Sequence, residues 1–211
     1  MNLSERLENN KYLVFALIFA LFNMAAVSLI FGFKTHGDSV DYINAIHWFQ
    51  GQETSIHPWM ILRPLGTILA MPFEFLGNGA GIIVQNMVFY LLSAFLIFKI
   101  ADMIFNNKKQ ALLASLFFVT ATPILEVGLA YLIDMGAWFF YILSIFLTLL
   151  YLKNKNEKLI ILNGFLAGFG FLMKENGALG VLFFGFVILL SKEFNFREKV
   201  YKLLRFGVFF L

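Results

Sequence analysis

Long apolar runs separated by short polar stretches dominate the chain. Residues 12–33 and 75–98 carry no charged side chain. At about 1.5 Å per residue, each run is long enough to cross the roughly 30 Å hydrocarbon layer of a membrane as a helix. Between Lys109 and Lys153 the only charges are Glu126 and Asp134, so this interval is predicted to cross twice. The pattern predicts spans over about 12–33, 77–98, 110–125 and 130–152.

The apolar interval 159–191 is interrupted by Lys174-Glu175-Asn176. A single helix would place this pair of charges near the middle of the bilayer, at a cost of at least about 2.5–3.5 kcal/mol per charge. Two short spans, 159–173 and 176–191, avoid most of that cost. A further apolar run, 203–211, begins a seventh span and is too short to complete it. We therefore expect this sequence to be the N-terminal part of a longer protein.

The distribution of basic residues predicts the orientation. If the N-terminus lies inside, thirteen of the sixteen Lys and Arg residues fall on the inner side, and only Lys34, Arg63 and Lys174 fall on the outer side. This bias is typical of membrane proteins, whose cytoplasmic loops carry the excess of basic residues. The apolar segment Pro64 to Phe75 is too short to span, so we expect it at the outer interface, within an outer loop over 34–76.

The composition agrees with a membrane protein and excludes several kinds of site. Hydrophobic residues make up 60% of the 211 residues and charged residues only 14%, against about 45–50% and about 25% in soluble domains. The absence of cysteine excludes disulfides, iron–sulfur clusters, thiolate zinc sites and cysteine nucleophiles. The inner loops account for the net charge of +3, so no nucleic-acid partner is expected. We predict one all-α polytopic membrane module over 1–211, with six complete spans and the start of a seventh.

Ionisable side chains collect on the predicted outer side. Charged groups at helix ends within a membrane are expensive to bury, so they are functional candidates by default. The inner loops, by contrast, have the composition of plain lysine-rich connectors. The acids assigned to the outer side are Asp38, Asp41, Glu53, Glu126, Asp134 and Glu175.

An amphipathic helix is predicted in the first outer loop. Apolar residues recur every three positions at Val40, Ile43, Ile46 and Phe49, which places them on one helical face. Asp38 stands at the expected N-terminal end, where aspartate commonly serves as the N-cap. An N-cap and a catalytic carboxylate are compatible roles, so both interpretations of Asp38 stay open.

Three segments resemble a family of membrane enzymes. Asp38-Ser-Val-Asp-Tyr42-Ile-Asn-Ala45 resembles the Asp-x-x-x-Tyr-x-x-Ala pattern of GT-C glycosyltransferases of the protein O-mannosyltransferase and aminoarabinose-transferase type. Thr120-Ala-Thr-Pro123, followed by Leu132-Ile-Asp134-Met, is similar to the family's Thr/Ser-Pro turn and to the Asp-Met segment that opens its fourth helix. Gly164 to Lys174 is similar to its Gly-x-x-x-Gly-x-x-x-Leu-x-Lys segment. The matches occur in the family's order and cover about residues 35–180.

The resemblance implies an inverting transferase that passes a sugar from a polyprenyl-phosphate donor to an extracytoplasmic acceptor. It implies Asp38 as the general base, since the acceptor hydroxyl loses a proton as it attacks the anomeric carbon. The leaving phosphate needs cations, and Lys174 and Arg63 are the candidates. For Lys174 the alternative is a lysine that reaches toward the headgroups. Asp134 is either a second catalytic carboxylate or a helix-end acid paired with a neighbour.

Other residues are candidates for contacts with the acceptor or the sugar. Asp41 also suits a first-turn acid that complements the helix dipole, and Trp59 also suits an interface anchor. No cofactor is required. A divalent metal is an open alternative, although the spacing His36-x-Asp38-x-x-Asp41 matches no standard site. The full set of these contact candidates is Asp41, Tyr42, Glu126, Trp59 and Glu175.

Two other functions remain as alternatives. A polyprenyl-linked lipid flippase or secondary transporter would place charges at mid-span in broken helices, often with a repeat between its halves. A non-catalytic membrane scaffold would need no one-sided cluster of charges. The favoured prediction is a multi-pass enzyme of the plasma (inner) membrane, with a cytoplasmic N-terminus and an extracytoplasmic active site. Its expected partners are a polyprenyl-phosphate-sugar donor, a lipid, glycan or protein acceptor, and membrane lipid.

Overall fold

Helices make up most of the described structure. The computed structural model describes residues 3–52 and 55–210, and these ranges contain no strand, which confirms the predicted all-α class. Glu53, one of the acids assigned to the outer side, lies outside the described residues. The α-helices are α1 (Leu3–Phe31), α2 (Ser39–Phe49), α3 (Pro58–Ile61), α4 (Pro64–Ala70), α5 (Ala80–Phe105), α6 (Lys108–Thr120), α7 (Asp134–Asn154), α8 (Lys158–Met173), α9 (Leu179–Leu190) and α10 (Phe196–Phe210).

Three of the described helices are long and apolar enough to cross a membrane. They are Asn10–Phe31 within α1, the whole of α5 and the whole of α7. The shorter helices α6, α8 and α9 pack beside them, with α6 against α5 and both α8 and α9 against α7. At 1.5 Å per residue these shorter helices rise only about 18–24 Å. That α6, α8 and α9 also span, giving six spans in all, stays a prediction.

The helices run alternately between two ends of the bundle. At one end, here termed the Asp134 end, α7 begins and α8 finishes. At the other, the Glu157 end, Glu157 accepts hydrogen bonds from Lys202 at 2.8 Å and from Arg205 at 3.2 Å. Lys155 forms an ion pair with Glu193 near the same end. The Asp134 end and the Glu157 end thus each carry ion pairs between charged side chains.

The connection between α6 and α7 is longer than predicted. The helix expected over 110–125 ends at Thr120, and the one expected from residue 130 begins at Asp134. The Asn86 side-chain amide, from α5, donates to the carbonyls of Ala130 at 2.9 Å and Leu132 at 2.6 Å. These bonds pair backbone carbonyls outside a helix, which such groups require when buried. The predicted span of 130–152 would place Asp134 one turn inside its helix. In the structure, Asp134 is instead the first residue of α7.

The last helix also differs from the prediction. The run expected from residue 203 belongs to α10, which already begins at Phe196. This helix packs along α8, where small residues allow close approach. A Cβ added to Gly164 would lie 2.4 Å from the carbonyl oxygen of Phe206, and one added to Gly168 would lie 2.8 Å from that of Phe210. The two glycines therefore determine how closely α10 approaches α8.

We expect Gly164→Ala to lower the thermal unfolding midpoint of the full chain in detergent micelles. The added methyl group would overpack the contact between α8 and α10, at a cost of about 1–3 kcal/mol. Gly185→Ala is the matched control, since Gly185 lies inside α9 with open space at its Cβ position. Both variants gain the same helix propensity. Equal midpoints would contradict the tight contact at Gly164.

Candidate active site

A largely buried ion pair joins the start of α7 to the end of α8. The Lys174 ammonium nitrogen lies 2.8 Å from Oδ1 and 2.9 Å from Oδ2 of Asp134. The side chains are only 18% and 10% exposed, respectively. Asp134 lies in the first turn of α7, where the helix dipole favours a negative charge. The structure thus pairs two sequence candidates with each other, which accounts for how each charge is tolerated.

Arg63 lies beside this pair and is held by two contacts. Its guanidinium nitrogen is 2.6 Å from a carboxylate oxygen of Glu175, the residue that follows Lys174. Its guanidinium carbon lies 4.6 Å from the centre of the Trp59 ring, a cation–π geometry. Because Arg63 immediately precedes α4, the ion pair links the first loop region to the connection between α8 and α9.

Tyr42 lies at the centre of these groups. Its side chain in α2 is fully buried, and its ring meets Trp59 edge to face at 5.7 Å. The hydroxyl is buried, and no side chain in the described part of the chain meets it with hydrogen-bond geometry. Burial raises the pKa of Tyr42; the nearby Arg63 opposes this shift, and the carboxylates of Asp134 and Asp38 add to it. Tyr42 is therefore a neutral group surrounded by charges from three different segments.

Asp38 is exposed, and its carboxylate forms no ion pair or hydrogen bond with the described residues 3–52 and 55–210. It occupies the N-cap position of α2, but its side chain accepts no capping bond. Instead, the hydroxyl of Ser39 accepts the backbone N–H of His36 at 2.8 Å. The prediction of an N-cap was right about the position and wrong about the side-chain bond. A carboxylate that is free of protein partners can accept a proton from a substrate.

The structure brings most of the sequence candidates together. The group defined here as the Tyr42 cluster comprises Asp38, Tyr42, Trp59, Arg63, Asp134, Lys174 and Glu175. Two of the sequence candidates are not part of this cluster. Asp41 is half-buried in the first turn of α2, as its dipole interpretation expects. Glu126 accepts a hydrogen bond from Lys34 at 2.7 Å, and this cation lowers the pKa of Glu126.

An apolar groove lies beside the pair of Lys34 and Glu126. It has a volume of about 320 Å³ and runs along the end of α1 and the residues that follow α6. Asp38, Asp134 and Lys174 do not line it. Its lining residues are Val27, Phe31, Gly32, Lys34, Thr122, Leu125 and Glu126.

No group of three His, Asp or Glu side chains within residues 3–52 and 55–210 is arranged to hold a metal ion. The histidines are instead engaged singly. A ring nitrogen of His36 lies 3.3 Å from the carbonyl oxygen of Glu126, and a ring nitrogen of His47 lies 3.8 Å from Glu74.

Sequence reasoning missed the structural roles of two polar residues. Asn86 holds the segment before Asp134 through the two bonds described above, and adjacent amides at Gln85 and Asn86 in an apolar run were the available signal. The Glu74 carboxylate accepts the backbone N–H groups of Gly79 at 2.5 Å and Gly81 at 3.3 Å. Glu74 thereby caps the start of α5, where unpaired N–H groups favour an acid.

One comparison with known proteins gives a match. Residues 63–211 match the family described as dolichyl-phosphate-mannose-protein mannosyltransferase. The matched range covers more than two thirds of the chain and includes Arg63, Asp134, Lys174 and Glu175, whereas Asp38 precedes it. The chain has no match among curated proteins or among solved structures.

We expect Lys174→Met to lower the free energy of unfolding by about 3–5 kcal/mol, because it leaves the buried Asp134 carboxylate without its cation. Adding Asp134→Asn removes the uncompensated charge, so the double variant should recover most of the loss. Unfolding in micelles, followed by circular dichroism, measures the effect. Lys192→Met is the control, since Lys192 is exposed. If Lys174→Met lowers the free energy of unfolding no more than Lys192→Met does, the Asp134–Lys174 ion pair is not desolvated.

Proposed function

Because the chain belongs to the dolichyl-phosphate-mannose-protein mannosyltransferase family, we propose that it transfers a sugar from a polyprenyl-phosphate donor to an acceptor at the Tyr42 cluster. Family membership and the long apolar helices identify the chain as a membrane glycosyltransferase. The observation that supports this site is that Arg63, the Asp134 partner of Lys174, and Asp38 all act electrostatically on the buried Tyr42 hydroxyl.

In the proposed reaction, Lys174 and Arg63 bind the donor phosphate. When the bond between the anomeric carbon and the phosphate oxygen breaks, both bonding electrons stay with the phosphate. Charge-assisted hydrogen bonds from two cations stabilise that developing charge. Their low exposure, 18% for the Lys174 side chain and 22% for that of Arg63, supports this role, because partial burial strengthens electrostatic interactions.

Asp38 is proposed as the general base. The acceptor oxygen attacks the anomeric carbon from the side opposite the phosphate, its proton passes to the Asp38 carboxylate, and polyprenyl phosphate leaves. A single displacement of this kind inverts the anomeric configuration. The contrast between the two aspartates supports the assignment: both oxygens of Asp134 are engaged by Lys174, whereas Asp38 is exposed and unpaired. Asp134 then serves to position Lys174.

The reaction is proposed to occur outside the cytoplasm. The Glu157 end carries the basic residues Lys155, Lys202 and Arg205, as expected for the cytoplasmic side. The Asp134 end then faces outward, in a plasma (inner) membrane. The charges at that end lie at helix boundaries rather than inside helices, which favours the enzyme over a transporter with its site in broken helices at mid-span.

We expect Asp38→Asn to lower the rate of sugar transfer by about 10²–10⁴-fold, the usual contribution of a general base. The thermal midpoint should stay unchanged, because the Asp38 side chain is exposed and forms no capping bond. The measurement is the release of polyprenyl phosphate from polyprenyl-phosphate mannose by membranes that contain the full chain.

Asp102→Asn is the matched control for this experiment, since Asp102 lies near the C-terminal end of α5 and lines a pocket together with Lys153. It should leave the rate of release unchanged. Full activity of the Asp38→Asn protein would contradict the assignment of the base.

A further inference from the structure

We propose that Glu175 is a placeholder for the donor phosphate: it neutralises Arg63 in the free protein and leaves Arg63 when the phosphate binds. This inference rests on the proposed function and adds a role for a residue that does not touch the reacting atoms. Glu175 acts through Arg63, so it is a positioning residue. The affinity for the donor then depends on an exchange at Arg63, in which the donor phosphate replaces the Glu175 carboxylate.

The charges of the Tyr42 cluster require such an exchange. Asp38, Asp134 and Glu175 are acids, against the two cations Arg63 and Lys174, so the cluster as a whole carries net negative charge. Both cations already have carboxylate partners, at 2.6 Å and 2.8 Å. A phosphate diester is an anion, and like charges a few ångströms apart repel each other strongly where water is scarce. One carboxylate therefore turns away when the phosphate binds. Lys174, whose ammonium has three N–H donors, binds the phosphate while it keeps Asp134.

The exposure of the two paired carboxylates indicates which one gives way. The Asp134 side chain is 10% exposed and is bonded through both oxygens. The Glu175 side chain is 58% exposed, and its contact with Arg63 is the ion pair that the structure shows for it. Exposed ion pairs contribute little to stability, since water replaces the lost partner. Glu175 can therefore turn into solvent at small cost, whereas Asp134 cannot.

Arg63 stays in place when Glu175 leaves. Its side chain is 22% exposed and rests on the Trp59 ring, a contact that does not involve Glu175. Trp59 is itself held against the buried ring of Tyr42. The guanidinium is thus already oriented for a phosphate before the donor arrives, and preorganisation of this kind reduces the cost of binding.

Trp59 provides a local probe for the test. With Trp48→Phe and Trp138→Phe, Trp59 is the remaining tryptophan of the chain, and its fluorescence can follow a titration with decaprenyl phosphate in micelles. In this background Glu175→Gln should lower the Kd for decaprenyl phosphate by roughly two- to fivefold, the range expected from removing one exposed ion pair. The KM for polyprenyl-phosphate mannose should fall by a similar factor, with kcat unchanged.

Two variants and one ligand serve as controls. Glu193→Gln removes another exposed glutamate, paired with Lys155 at the Glu157 end, and should not change the Kd. In an Arg63→Gln background, Glu175→Gln should no longer tighten binding. Decaprenol, which lacks the phosphate, should bind equally well to the protein with and without the Glu175→Gln substitution.

The outcomes separate this inference from the proposed function. Weaker binding or a lower kcat for Glu175→Gln would overturn the placeholder role, because it would mean that Glu175 holds Arg63 in its active position. Equal tightening in the Arg63→Gln background would overturn it as well, since the effect would then be one of general charge. If the unsubstituted protein binds decaprenyl phosphate no better than decaprenol, the proposed donor site itself fails, and the placeholder role fails with it.

Discussion

The ion pair between Asp134 and Lys174 is the contact on which the arrangement of the Tyr42 cluster depends. Each charge is largely buried, so each needs the other, and the pair ties the start of α7 to the end of α8. Ile133, directly before Asp134, packs tightly against Gly66 of α4. A Cβ added to Gly66 would lie only 2.7 Å from the Cγ2 atom of Ile133. This packing contact places α4, which follows Arg63 directly, against the start of α7. The ion pair and the packing at Gly66 together bring Lys174 and Arg63 to the same end of the bundle.

The acids of the cluster show how similar side chains can have different environments. Asp38 is exposed and unpaired, which suits proton transfer. Asp134 is buried and bonded through both oxygens, which suits a structural partner for a cation. Glu175 is paired but exposed, which suits a contact that can be exchanged. Composition and motif do not distinguish these cases, because they depend on what surrounds each carboxylate.

Some elements could be predicted from local pattern and others could not. The helix at Ser39–Phe49 was predicted from its apolar spacing, which is local information, but the face it buries was predicted only in part. The buried residues include Tyr42, Ala45 and Ile46, whereas Val40 of the predicted face is 62% exposed. The start of α7 could not be predicted in this way. It depends on Asn86, whose hydrogen bonds reach 44 and 46 residues along the chain. The early start of α10 has a local cause that hydropathy does not register. The Asn195 side chain accepts the backbone N–H of Glu198 at 2.9 Å, and the Glu198 carboxylate accepts the backbone N–H of Asn195 at 2.9 Å, which together form a capping box.

The sequence by itself determined the all-helical membrane class, because hydropathy and the cost of burying charge are properties of each segment alone. It also singled out the residues that form the cluster. Only the tertiary structure decided which carboxylate pairs with which cation and which one stays free. Asp134 and Lys174 are 40 residues apart, and an ion pair forms only where folding brings two charges within a few ångströms.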